Sequence, residues 1–130
     1  MSEFNQRSSQ KQLYKYGAEL GIKNLVICRL DEAKKYMLDP KIKNLIINLD
    51  NVGNGTHWIS IYKPKKYYFD SYAESIPSSL SEFDLKKAST VKELQSIDSE
   101  TCGWLCLLFL QYCNFKTKDQ FYKLFKDVYD

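Results

Sequence analysis

Four residues of this 130-residue chain are of the types that thiol-based acyl transfer needs: His57, Asp70, Gln95 and Cys102. His57 is the one histidine. Imidazole is the only side chain whose ordinary pKa suits general-base work near neutrality. Cys102 stands between a polar run, residues 95–101, and an apolar run, residues 103–110. A helix that starts at the surface and enters a core has that pattern. A cysteine in its first turn meets unbonded backbone N–H groups and the positive end of the helix dipole, both of which favour a thiolate. Gln95, seven residues upstream, can return a side-chain amide to the same spot. Cys102 would then be the nucleophile and His57 its base. Asp70 would orient the imidazole, and the Cys102 N–H and the Gln95 amide would donate to the oxyanion.

Two strands must bring His57 and Asp70 together. Residues 57–62 and 67–72 read as the arms of a hairpin turning at residues 63–66. Strict pairing sets a residue near 72 opposite 57, so Asp70 is expected as a diagonal neighbour of His57 or brought opposite it by a bulge. A helix from about Ser9 carries Leu13, Tyr16 and Leu20 on one face and stops at Gly21. Residues 22–30 read as a strand. Asp31 caps a short helix over residues 32–38, which Asp39-Pro40 ends, and a buried strand follows over residues 42–49. Residues 51–55 read as a turn. Residues 78–94 suggest one short helix and connections, and residues 93–97 a last short strand. The Cys102 helix runs to about Phe115. The pair Thr117 and Gln120 opens a final helix with Phe121, Leu124, Phe125 and Val128 on one face. Residues 1 to about 8 read as a loose tail on a single domain spanning 1–130. The class is α+β, with a central, mainly antiparallel sheet flanked by helices.

Each candidate also has a structural reading. Cysteine at the head of an apolar helix packs as a small hydrophobe. A histidine beside Trp58 packs against it, Asp70-Ser71 ends a strand as a cap, and Gln95 alone carries no signal. On the residues alone both readings stand. Cys102, Cys106 and Cys113 fall within about 40° on one helix face. Cys113 is about 10 Å along the axis from Cys106, too far for one metal ion, so Cys106 and Cys113 are expected to pack in the core. No cofactor or metal is expected. With 44% hydrophobic and 15% aromatic residues the chain is not of a disordered class. A net charge of +3 allows weak attraction to nucleic acid without demanding it. The lysine pairs 34–35 and 86–87 and the cluster in residues 63–66 read as solvated turns or helix faces. No run of about 18 apolar residues is present to span a membrane. The polar N-terminus is no secretory signal, so the chain is expected not to be secreted and to keep free thiols.

Residues 55–62 (Gly-Thr-His-Trp-Ile-Ser-Ile-Tyr), residues 68–72 (Tyr-Phe-Asp-Ser-Tyr), Gln95, and residues 102–110 (Cys-Gly-Trp-Leu-Cys-Leu-Leu-Phe-Leu) together resemble the adenovirus maturation protease (adenain) family. The likeness is nearest to members from virophages, Maverick/Polinton-type elements and large DNA viruses. The clan includes the Ulp-type SUMO proteases and has the order His, Asp/Glu, Gln, Cys, permuted relative to papain. The match covers about residues 20–113. The resemblance implies a papain-like permuted fold, with His57, Asp70, Gln95 and Cys102 catalytic. Trp58 and Gly103 would line the substrate cleft. It implies an endopeptidase that cuts capsid or core precursor proteins near glycine, acting as a monomer in the virion and the infected cell, away from membranes. The family's activators raise an activating peptide or DNA as further partners. The disulfide tether of that peptide does not carry over, because no cysteine stands between Cys28 and Cys102. Asp70 stands where adenoviruses have glutamate, and the chain is much shorter than adenain. Two alternatives are a Ulp-like protease acting on ubiquitin-like conjugates and a non-catalytic interaction domain on the same fold.

Overall fold

The computed structural model describes residues 10–49, 57–71, 75–88 and 102–124. The expected tail (1–8), the turn at 51–55, the strand at 93–97, Phe125 and Val128 lie outside the described residues.

Helix α1 (Gln10–Glu19) buries Leu13 and Gly17. Its C-terminus closes as the composition predicts. Gly21 takes a left-handed φ of 79°. Its N–H bonds the Ala18 carbonyl and the Ile22 N–H bonds the Gly17 carbonyl, both at 3.0 Å, which satisfies carbonyls left over at the helix end. Strand β1 (Leu25–Arg29) runs parallel to β2 (Asn44–Asn48), Ile27 beside Ile46. The crossover between them is a 3-10 turn (Leu30–Glu32) followed by α2 (Ala33–Met37), so the single short helix expected there is split. Glu32, not Asp31, accepts the Arg29 N–H, while Asp31 pairs with the Arg29 guanidinium. A side chain three residues on can reach back to that N–H.

Strand β3 (Trp58–Tyr62) pairs antiparallel with β2 and with β4 (Tyr67–Phe69). The hairpin turns through a 3-10 segment (Lys63–Lys65) with Pro64 near its start, and Lys66 takes a left-handed φ of 58°. After β4 a 3-10 segment (Ser78–Phe83) leads to β5 (Lys86–Lys87), which pairs parallel with β4. The five-stranded sheet has the order β1-β2-β3-β4-β5. It is therefore mixed rather than mainly antiparallel, with an antiparallel centre and a parallel pair at each side. The reason is chain length: both parallel pairs are joined by crossovers long enough to carry helical segments.

Alternation along the strands sorts side chains onto two apolar layers. Ile46, Trp58 and Phe69 face α1, α3 (Cys102–Phe115) and α4 (Lys118–Lys123). Leu45, Ile47, Ile59, Ile61 and Tyr68 face Ala33 of α2 and Leu80. Strand β2, buried on both sides, carries consecutive apolar residues Leu45, Ile46 and Ile47 for that reason. Helix α4 opens on the expected reciprocal cap. Gln120 N–H bonds Thr117 Oγ1 at 3.1 Å and Thr117 N–H bonds Gln120 Oε1 at 3.0 Å. Phe121 is fully buried, whereas Leu124, expected on the same buried face, is about half exposed; it lies just past the helix end.

Candidate active site

The site is assembled at one end of β3. His57 directly precedes the strand, and its carbonyl accepts the Leu49 N–H at 2.9 Å. That bond continues the β2–β3 ladder by one residue and fixes the His57 backbone. Asp70 directly follows β4. Ser60 pairs with Phe69, so extending the register by one sets Asp70 against Ile59, two residues along β3 from His57. Asp70 is thus the diagonal neighbour of His57, and the side chains meet: His57 Nε2 and Asp70 Oδ1 are 2.8 Å apart.

The geometry gives this pair a direction. The Asp70 side chain is 1% exposed and that of His57 21%. A carboxylate at that depth is costly unless it is bonded. An ionised carboxylate only accepts, so Nε2 carries the hydrogen that it donates to Asp70. Nδ1, on the other side of the ring, is then the basic nitrogen. Phe69 holds Asp70 in place from the adjacent position. Its ring stacks on Phe109 of α3 with centroids 4.8 Å apart, and Phe121 packs edge-on against both rings.

Side-chain bonds help to set how α3 lies on the sheet. The Cys106 thiol donates to the Trp58 carbonyl at 3.2 Å. Asn114, farther along the helix, donates to Asn44 Oδ1 at 2.8 Å, and Asn44 pairs with Tyr62 at the other end of β3. From Cys106 to Asn114 the helix rises about 12 Å; from Trp58 to Tyr62 the strand advances about 13 Å. Helix and strand therefore run side by side in the same direction. Cys102 begins α3 one turn, about 6 Å, before Cys106, so the helix N-terminus lies at the His57–Asp70 end of the sheet. By periodicity position 102 shares a helix face with position 106. The side chain of Cys102 and the whole of Gln95 lie outside the described residues.

Both residues that the resemblance puts along the cleft are buried. Trp58 is 5% exposed and packs with Cys106 and other core residues between sheet and α3. Alternation along β3 turns it toward the helix layer. Gly103 is likewise buried, within the first turn of α3. Cys106 is fully buried, as expected of a packing residue, but it also makes the bond to Trp58, which composition did not suggest. Its one clue is the four-residue step from Cys102.

The other described thiols are chemically quiet. Burial pushes both Cys28 and Cys113 up to about 12, so they stay protonated near neutrality. Among the described residues no cluster of three His, Cys, Asp or Glu side chains could hold a metal ion, and no helix is long and apolar enough to cross a membrane. No protein-family model matches the chain, and no curated protein matches it in sequence.

Proposed function

We propose that the chain is a cysteine endopeptidase with a papain-like permuted fold of the adenain and Ulp type. In this reading it cleaves capsid or core precursor proteins near glycine during maturation of a DNA virus or virus-like element. The observation that carries the reading is the 2.8 Å bond between His57 and Asp70 at the end of the sheet where α3 begins with Cys102. The supporting sequence pattern is the order His57, Asp70, Gln95, Cys102.

The chemistry follows from the parts. With Nε2 held by Asp70, Nδ1 takes the Cys102 proton, and the helix N-terminus favours the thiolate that results. The sulfur adds to the scissile carbonyl carbon, forming the C–S bond and moving the carbonyl π electrons onto oxygen. The Cys102 N–H and the Gln95 amide donate to that oxyanion. A single such donor is worth about 3 kcal/mol of barrier in acyl transfer. The imidazolium then gives its proton to the amide nitrogen as the C–N bond breaks, and the amine product leaves. Water, deprotonated by His57, attacks the thioester, and the released thiolate completes the cycle. Asp70 opposes the imidazolium charge that arises in each half-reaction.

The test is cleavage by the full chain of candidate capsid precursors and, in parallel, of SUMO and ubiquitin fusions, with Cys102→Ala as control. Cutting of a precursor near glycine that Cys102→Ala abolishes is the expected result. Cleavage of the SUMO or ubiquitin fusions alone would move the substrate class to ubiquitin-like conjugates. Cleavage that survives in Cys102→Ala would overturn the nucleophile. Absence of any cleavage, with no alkylation of Cys102 near neutral pH, would favour a non-catalytic interaction domain.

A further inference from the structure

The first turn of α3 is tied to the residue beside the imidazole by a bond that is not part of the proposed chemistry. The Cys106 thiol is fully buried and donates to the Trp58 carbonyl at 3.2 Å. Trp58 adjoins His57 in the chain, and Cys106 is one helical turn from Cys102. The bond therefore spans the two elements that carry the proposed base and nucleophile, one residue from His57 and one helical turn from Cys102. The second tie, Asn114 to Asn44, is two helical turns farther from Cys102. It fixes the far half of the helix, whereas the Cys106 bond acts near its start. Hydrophobic contact alone is non-directional, so a directed bond adds a constraint that burial of the neighbouring apolar residues does not.

We infer that Cys106 is a positioning residue: its thiol–carbonyl bond to Trp58 sets the separation between Cys102 and the His57 imidazole. This rests on the protease reading of the site. The bond is weak in itself, since S–H is a poor donor. Its effect is geometric, because a misplacement of about 1 Å at reacting groups can cost about a hundredfold in rate. Loosening it moves the thiolate away from the imidazolium and from the oxyanion donors while leaving substrate contacts in place. A thiolate farther from an imidazolium is also less favoured.

The test compares wild type with Cys106→Ala, Cys106→Val and Cys106→Ser. Cys106→Val fills the space without a donor and serves if Cys106→Ala does not fold. Cys113→Ala, which removes a partly buried thiol two turns along the same helix, controls for destabilisation. Two quantities are read: kcat and KM on a cleaved precursor, and the pH midpoint of Cys102 alkylation by iodoacetamide, located by mass spectrometry. Losing the donor is expected to lower kcat about tenfold with KM within about twofold, on the geometric cost above, and to raise the alkylation midpoint. Cys106→Ser, which retains a donor, recovers most of both. Cys113→Ala changes neither, although it lowers thermal stability. If Cys106→Ala or Cys106→Val matches wild type in kcat and midpoint, or if Cys113→Ala reproduces their effect, the positioning role is wrong and Cys106 only packs. That outcome is separate from failure of the protease reading. In that case wild type itself cleaves nothing and its Cys102 titrates as an ordinary thiol near pH 8.5, which removes both proposals.

Discussion

At the scale of single residues, Asp70 offers the sharpest test of the site. Asparagine in its place can still accept from Nε2–H and keep the ring oriented, but it carries no charge to oppose an imidazolium. Asp70→Asn is therefore expected to lower kcat about tenfold or more while leaving KM nearly unchanged. Steady-state kinetics on the cleaved precursor would read this directly, and an unchanged kcat would remove the carboxylate from the mechanism. His57 and Asp70 were legible in the sequence for two physical reasons. One is that a single histidine leaves no competing base. The other is that hairpin register is arithmetic, so the diagonal placement of Asp70 follows from the turn at residues 63–66. The Cys106 bond was not legible. A buried thiol is apolar enough to read as packing, and its acceptor is a backbone carbonyl 48 residues away, with no side-chain signature. The burial of Trp58 was not legible either, because an aromatic beside a candidate base suggests a wall, whereas alternation along β3 directs it into the core.

Elements were legible where apolar periodicity was strong. α1, β2, β3 and α3 all lie within the stretches that their patterns suggested, and the Thr117–Gln120 cap formed as composition implied. β5 was not, and the reason is physical. It consists of Lys86 and Lys87, both exposed, so no alternation marks it, and its pairing comes from backbone groups of β4. The Ala88 N–H bonds the Tyr68 carbonyl and the Lys86 N–H that of Lys66, both at 2.8 Å. The hairpin-turn lysines likewise read as solvated charge. One of them is not: Lys63 Nζ donates to the Tyr36 carbonyl at 2.8 Å and to that of Asp39 at 2.7 Å. It thereby ties the turn after β3 to the end of α2. Burial lowers its pKa from the ordinary lysine value, and the charge of Asp39 partly offsets this. Lys63→Met keeps the stem and removes the ammonium. Hydrogen bonds to charged groups are worth about 1.5–3 kcal/mol, and partial burial sets the expectation at the low end. Urea unfolding should show that loss, and exchange of the Leu38 amide, bonded to the Lys34 carbonyl, should accelerate. Stability equal to wild type would mean that solvent replaces the tie.

For the molecule as a whole, α+β layering and the antiparallel β3–β4 hairpin were legible, and the parallel outer pairs were not, because a crossover's length is visible in sequence but its path is not. The two apolar layers each hold a thiol with a displaced pKa. Cys28 lies in the α2 layer and Cys113 packs against the α3 layer, and both are raised from 9.0 to about 12 by burial. A pKa raised on folding gives stability that is present below the unfolded value and is lost as pH rises toward the folded one. Tyr62, raised from 10.0 by burial and by the nearby Cys113 charge, acts in the same sense. Lys63, lowered on folding, acts in the opposite sense as pH approaches the unfolded lysine value. Three groups oppose one, so unfolding free energy should decline between about pH 9 and 12. The double variant Cys28→Ala/Cys113→Ala should be less stable at pH 7 but show a flatter decline. A slope identical to wild type would mean that these thiols do not govern it.

One contact of α1 has a consequence for how copies of the chain meet. The outward backbone groups of Ile27 on β1 are both occupied by α1 side chains: the Gln10 amide donates to its carbonyl, and its N–H bonds the Tyr14 hydroxyl, each at 2.9 Å. Next along, the Arg29 N–H is taken by Glu32 at 3.2 Å. Those are the groups that a foreign strand would have to use to extend the sheet. At the opposite border the last strand among the described residues presents the two lysines of β5, whose like charges repel a second copy. Growth into stacked ribbons is thus obstructed at one border by donor and acceptor mimicry and at the other by charge. A crowded solution of this protein is accordingly guarded against edge-to-edge fibril formation by a helix that lies far along the chain from the candidate nucleophile.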